Sequence, residues 1–148
     1  MQNSLILASG SPRRRELLSL MGITYQICPA DVDEHMTGAP DEVVMALSRR
    51  KALAVAERHS GYTVLGADTL VACRGEIMGK PQDQQDAMRM LMLLSGGENN
   101  VYTGVTVIDG KTGRVDTRCD QTRVHFVPIT PEAAQRYIDS GEPMDKAG

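Results

Sequence analysis

Strand-like and helix-like segments alternate along this chain, and that alternation restricts the fold more than any other feature. Three predicted helices start at prolines, in the pairs Ser11-Pro12 and Thr130-Pro131 and at Pro40. Proline suits the first turn of a helix because the N–H that it lacks would have no partner there. Short apolar, β-branched runs lie between the helices, so we expect an α/β fold; tight turns between later strands predict hairpins and exclude a purely parallel sheet.

The pattern predicts four helices and six strands. The helices are expected over residues 12–21, 40–58, 83–94 and 131–140, and the strands over 5–8, 25–28, 63–73, 76–78, 101–108 and 115–127. Gly22 is placed to end the first helix. With 148 residues and 41% apolar content, residues 1–148 have the size of a single domain with one core.

Composition argues against several classes of partner. A formal net charge of −3 gives no global positive field for nucleic acid or for an anionic membrane, and 3% aromatic residues offer little stacking for single strands. Cys28, Cys73 and Cys119 are odd in number and widely spaced, which favours reduced thiols over disulfides. The apolar run at residues 5–8 is too short for a signal peptide or a membrane span. We therefore expect a cytoplasmic protein with no nucleic-acid partner and no membrane partner.

The first strand-to-helix corner has the composition of a phosphate-binding site. Ser9 and Ser11 flank a glycine, and Arg13, Arg14 and Arg15 follow in the first turn of the predicted helix. Cations there oppose the helix dipole, whereas a bound phosphate would be favoured by both the free N–H groups and the guanidinium groups. The alternative is a solvated arginine face, with the serines acting only as caps.

Two lysines are further candidates for binding an anion. Lys51 falls on the apolar stripe of the second helix, between Val44, Leu47 and Val55. Such a lysine either extends its ammonium group to the surface or lies in a cleft beside a ligand. Lys80 precedes Pro81, which favours an extended, rigid backbone and hence a positioned charge.

Asp68 lies in an otherwise apolar strand, where an ionised carboxylate is costly unless a metal or hydrogen-bond donors compensate it. Together with Glu34 and its neighbour Asp33, Asp68 would supply the oxygen ligands that a partly hydrated magnesium ion prefers. The alternative is an aspartate that caps a bulge at Gly66.

Several ordered motifs resemble those of the Maf family of nucleotide pyrophosphatases. Residues 8–18 are similar to its A-S-x-S-P-R-R and E-L-L pattern, Lys51-Ala52 to its K-A, residues 66–69 to its G-A-D-T, and Lys80-Pro81 to its K-P. The resemblance implies an elongated mixed α/β sheet flanked by helices, with two lobes around a nucleotide cleft, similar to the inosine triphosphatase-like group and often a homodimer.

Within that family, Arg13 and Thr69 are similar to the residues of members that hydrolyse dTTP and UTP. Two positions depart from the family pattern: Arg50 stands where glutamate is usual, and Asn99 stands where histidine is common. Family members continue beyond D-K-A-G with a functional glutamine and further strands, so we expect the chain printed here to lack the C-terminal part of the domain.

The resemblance and the residues together give a hypothesis for the reaction. Asp68 and Glu34 would hold magnesium, or manganese as the alternative, while water attacks the α-phosphorus of a nucleoside triphosphate and pyrophosphate leaves. Asp68 would also orient or deprotonate the water, and Arg13, Lys51 and Lys80 would neutralise phosphoryl charge. The substrate-binding set is predicted to be Ser9, Ser11, Arg13, Arg14 and Thr69.

Two other functions compete with this hypothesis. The chain would act as a regulator of cell division that binds nucleotide or nucleic acid without turnover, or as a purely structural protein whose charges are all solvated or capping. Nucleotide affinity without turnover would favour the first, and no nucleotide-induced change in melting temperature would favour the second.

Overall fold

A computed structural model describes residues 5–78 and 81–140 of the chain. Four helices and six strands alternate in the order expected of an α/β protein. The helices are α1 (Pro12–Leu20), α2 (Pro40–Ala56), α3 (Gln84–Leu94) and α4 (Pro131–Asp139). The strands are β1 (Leu5–Leu7), β2 (Gln26–Ile27), β3 (Thr63–Cys73), β4 (Glu76–Met78), β5 (Glu98–Ile108) and β6 (Val115–His125).

The strands form one mixed sheet in the order β2-β1-β3-β5-β6, with β4 paired to β3. Strand β1 runs parallel to both β2 and β3, whereas β3 and β4 form an antiparallel hairpin. A tight turn closes the β5–β6 hairpin, where the N–H of Asp109 donates to the carbonyl oxygen of Arg114 over 2.9 Å. The predicted mixed α/β fold with hairpins is therefore confirmed.

Most predicted boundaries agree with the structure to within two residues, and β5 begins three residues earlier than expected. Gly22 follows α1 with a φ of 73°, and its N–H and that of Ile23 donate to the carbonyl oxygens of Ser19 and Leu18. This left-handed glycine ends the helix as predicted. The arrangement of two lobes around a cleft stays a prediction, as does the assignment of residues 1–148 to one domain.

Backbone contacts divide the chain into two compact units. The first contains Met1–Asp68 and Thr103–Asp120, and the second contains Thr69–Tyr102 and Gln121–Gly148. In the first unit, buried side chains of α2 pack on β1 and β3 and form an apolar core cluster. The cluster comprises Ile6, Ala8, Ala52, Val55, Val64 and Ile108.

The second unit has its own apolar clusters around α3. One comprises Val71, Cys73, Met78, Met90 and Leu94, and the other joins α3 to α4 through Ala87, Leu91, Ala134 and Ile138. Asp83 caps α3 by accepting a hydrogen bond from the N–H of Asp86 over 2.7 Å. Within the described residues, every helix is too short or too polar to cross a membrane.

Gly66 allows the helix α2 to lie directly against the strand β3. A Cβ atom added at Gly66 would lie 2.6 Å from the carbonyl oxygen of Ser48 and 2.9 Å from the Cβ of Ala52. Both distances are shorter than real Cβ contacts allow, and the closer one is to backbone, which cannot rotate away. The close approach of α2 to β3 thus depends on the missing side chain.

We predict that Gly66→Ala destabilises the fold by about 1–3 kcal/mol or more, because overpacking forces α2 away from β3. Gly10→Ala is the matched control, since its new Cβ would meet only the Pro29 side chain at 3.9 Å. Urea denaturation followed by circular dichroism measures both variants. Equal stability of the two variants would contradict the proposed packing.

Candidate active site

Lys51 on α2 binds two carboxylates at once. Its Nζ donates to Oδ1 of Asp68 over 2.9 Å and lies 2.8 Å from Oε1 of Glu34. The side chains of Lys51 and Asp68 are only 13% and 11% exposed, whereas that of Glu34 is 60% exposed. The structure therefore brings together Lys51, predicted to face the core, and the two predicted metal ligands, Asp68 and Glu34. The cluster is open to solvent on the side of Glu34.

The packing of α2 on β3 explains why these groups meet. Gly66 faces Ser48 and Ala52 of α2, and Asp68 lies two residues further along the strand, on the same face. Lys51 lies about one helical turn beyond Ser48 and thus near Asp68. The prediction that Lys51 faces inward is confirmed.

Burial raises the pKa of the Asp68 carboxyl, and the charge of Glu34 adds to that shift. The hydrogen bond and the charge of Lys51 act in the opposite direction, and Arg14 assists them. Because Lys51 already compensates Asp68, the carboxylate is not isolated as the sequence suggested. The raised pKa makes this carboxylate a better proton acceptor than an exposed aspartate.

Ser9 and Arg14 form a second part of the site at the start of α1. The Oγ of Ser9 accepts hydrogen bonds from Nη1 of Arg14 over 3.0 Å and from the N–H of Ser11 over 3.2 Å. These bonds use the acceptor capacity of the hydroxyl and leave its hydrogen to donate elsewhere. Burial lowers the pKa of Arg14, while the charges of Asp68 and Glu34 raise it, so the guanidinium lies within electrostatic range of the acids.

The start of α1 retains the features of an anion site. Ser11 occupies the N-cap position and Pro12 follows it, but the Ser11 side chain makes no capping hydrogen bond and the first turn holds no acidic residue. The backbone N–H groups there and the nearby arginines favour a negative ligand. Arg13 is exposed, and it is Arg14 whose charge is coupled to the acidic groups.

The structure does not bring Asp33 into the cluster. Its Oδ1 accepts the N–H of His35 over 3.0 Å and lies 2.9 Å from Nδ1 of that ring. The backbone N–H of His35 is the main cause of the lowered pKa of Asp33. Of the two neighbouring loop acids, only Glu34 contacts Lys51.

Thr69 and Lys80 were also predicted to be site residues. Thr69 follows Asp68 on β3 and is exposed, and it begins the second compact unit. Lys80 lies outside the described residues, so its predicted catalytic role stays a prediction. Sequence reasoning missed the bond between Ser9 and Arg14; their spacing of five residues across a strand-to-helix corner was the available signal.

The carboxylates of Asp68 and Glu34 fit a magnesium ion. Both point at the same ammonium group, so they already face a shared position that a cation occupies. Among the described residues, no group of three or more His, Cys, Asp or Glu side chains is placed to hold a metal. Magnesium usually takes one or two protein carboxylates together with water and substrate phosphates, so these two carboxylates would be enough to hold it.

The fold and the site define a mixed α/β protein with a lysine-bridged acid pair beside an arginine-rich helix start. A profile of the family described as Maf-like protein matches residues 4–148. The chain belongs to the Maf family.

Curated relatives match almost the whole chain. A protein of Agathobacter rectalis named "dTTP/UTP pyrophosphatase" is 47% identical over 163 residues, covering 99% of this chain and 80% of the relative. Proteins with the same name are 46% identical in Bacillus thuringiensis subsp. konkukian and 48% identical in Symbiobacterium thermophilum. Each covers 97% of this chain, and the match spans 75% and 74% of those relatives.

We predict that Lys51→Met lowers stability near neutral pH by about 1–3 kcal/mol, because the buried Asp68 loses its partner. The folded-state pKa of Asp68 is already raised, and losing Lys51 raises it further. The loss of stability is therefore largest where Asp68 is ionised in both proteins, above the higher pKa that it has in the variant. It shrinks as the pH falls from there through the pKa of Asp68 in the wild-type protein, since the protonated carboxyl needs no cation.

Urea denaturation at neutral and mildly acidic pH measures this effect. Arg49→Met removes an exposed charge from the same helix and is expected to change stability by less than about 0.5 kcal/mol. A Lys51→Met penalty that is independent of pH would show that Lys51 does not compensate Asp68.

Proposed function

We propose that this protein hydrolyses dTTP and UTP to the nucleoside monophosphate and pyrophosphate with the help of a divalent cation. The single observation that carries the proposal is the contact of Lys51 with both Asp68 and Glu34. The shared name of the relatives from three bacteria supports the substrate class.

Groups at the start of α1 would hold the phosphates. The hydrogen bond from Arg14 to Ser9 fixes the position of the guanidinium, and the hydroxyl hydrogen of Ser9 can donate to a phosphate oxygen. The backbone N–H groups of the first turn of α1 also favour an anion. Arg13, exposed beside Arg14, adds a second guanidinium. Lys51, and Lys80 by prediction, would neutralise charge that develops on the phosphoryl oxygens.

Asp68 and Glu34 would hold magnesium, with manganese as the alternative. When bound, the cation supplies positive charge to the triphosphate oxygens. Lys51 would then move its ammonium group from the carboxylates towards a phosphate oxygen, because the carboxylates are shared with the cation.

Asp68 would orient the attacking water and accept its proton. In the protein without a bound cation, burial raises the pKa of the Asp68 carboxyl. Attack at the α-phosphorus breaks the bond to the β-phosphate oxygen, so pyrophosphate leaves. Arg13 and Thr69 would set the preference for dTTP and UTP over other nucleotides.

We also infer that the protein acts in the cytoplasm. The three cysteines, Cys28, Cys73 and Cys119, are free thiols, which is the form favoured in a reducing compartment. A homodimer and the absence of a nucleic-acid partner stay predictions.

We predict that the protein, incubated with magnesium, releases equal amounts of pyrophosphate and monophosphate from dTTP and UTP. Asp68→Asn is expected to lower turnover at least about 100-fold, because the amide accepts no proton. Asp109→Asn, in the β5–β6 turn, serves as the control and should retain full activity.

Product chromatography together with a pyrophosphate assay decides the outcome. Orthophosphate in place of pyrophosphate would contradict the proposed bond, and undiminished turnover by Asp68→Asn would contradict the role of Asp68. Nucleotide affinity without turnover at any magnesium concentration would favour a binding regulator.

A further inference from the structure

Arg50 contacts the loop that carries Glu34. Its Nη1 donates to the backbone carbonyl oxygen of Asp33, which belongs to the peptide bond that joins Asp33 to Glu34. Because a peptide unit is planar, a bond to that oxygen restrains the orientation of the backbone from which the Glu34 side chain leaves. Arg50 and the next residue, Lys51, thus bind the backbone and the side chain at the same point of the loop.

The loop packs against the core cluster of the first unit through Ala30, but it has few hydrogen-bonded restraints near Glu34. Residues 29–38 contain no helix or strand, and these described residues form no backbone–backbone hydrogen bond with one another. The Asp33 carboxylate turns to the N–H of His35, which is a local contact inside the loop. Glu34 itself is 60% exposed, so packing holds it only weakly. The contacts from Arg50 and Lys51 of α2 are therefore the direct restraints on its carboxylate.

We propose that Arg50 is a positioning residue that holds the Asp33–Glu34 peptide so that the Glu34 carboxylate is preorganised beside Asp68 for the divalent cation. This inference rests on the proposed function for its cation. The bond needs an N–H donor at this position, which arginine supplies and methionine does not.

The neighbouring Arg49 provides a matched control. It is exposed on α2 and carries the same charge, but within the described residues it donates no hydrogen bond to the loop, in contrast to Arg50. Arg50→Met and Arg49→Met remove equal charge at similar places. A difference between the two variants isolates the hydrogen bond to Asp33 from general electrostatics.

The first measurement is manganese binding by the protein without nucleotide, read from the loss of the free Mn²⁺ signal in electron paramagnetic resonance. Arg50→Met is expected to raise the dissociation constant for Mn²⁺ roughly tenfold, as is common when a group that orients a metal ligand is removed. Arg49→Met is expected to leave it unchanged, and Arg50→Lys, which keeps a donor, should recover part of the loss.

A double-mutant cycle with Glu34→Gln separates positioning from a merely structural role. If Arg50 acts through Glu34, Arg50→Met should change the dissociation constant for Mn²⁺ by less than about twofold once Glu34 is replaced. Equal effects of Arg50→Met in both backgrounds, or equal effects of Arg49→Met and Arg50→Met, would overturn the inference. Absence of Mn²⁺ binding by the wild-type protein would overturn it as well.

Pyrophosphate release from UTP provides an independent readout. Arg50→Met should need a higher magnesium concentration for half-maximal rate and should reach a similar rate at saturating magnesium. A wild-type protein that binds Mn²⁺ but releases no pyrophosphate would refute the proposed function, while the binding cycle would still decide the role of Arg50.

Discussion

The ammonium group of Lys51 lies between the carboxylates of Asp68 and Glu34, and the rest of the site is arranged around that interaction. A carboxylate as buried as Asp68 needs a cation or donors nearby, because its charged form is otherwise poorly solvated. Lys51 meets this need in the free protein. In the proposed complex a metal ion and a triphosphate would take over part of the task, so the charges are already in place before the substrate arrives.

The interaction is built by the backbone at some distance from the chemistry. Gly66 lets α2 approach β3, and that approach brings Lys51 to the strand position two residues beyond the glycine. At the corner between β1 and α1, the hydroxyl of Ser9 accepts a hydrogen bond from Arg14. The guanidinium of Arg14 interacts electrostatically with Asp68 and Glu34. Packing constraints in the first compact unit thus determine the electrostatics of the site.

Much of the fold follows from local sequence signals. Prolines at the helix starts and β-branched runs in strands are short-range preferences, and the boundaries of β3 agree with the expected residues 63–73. The inward direction of Lys51 was also predictable, since helical periodicity alone places it with Val44 and Val55.

The individual contacts within the site were less predictable. Lys51 and Asp68 are seventeen residues apart, so their pairing depends on how α2 lies on β3. The sequence placed Asp33 beside Glu34 as a further carboxylate near the cation, whereas in the structure the Asp33 carboxylate accepts a local hydrogen bond from the N–H of His35. Similarly, Arg14 is partly buried within electrostatic range of the acids, whereas Arg13 is exposed, and this difference depends on how α1 packs.

The most direct test of the central claim is an anomalous diffraction map from crystals of the protein with Mn²⁺ and a UTP analogue that resists cleavage between the α- and β-phosphates. The account predicts a manganese peak contacting Asp68 and Glu34, with Lys51 on a phosphate oxygen and the triphosphate against the start of α1. A manganese peak away from both carboxylates, or a triphosphate bound elsewhere, would contradict it.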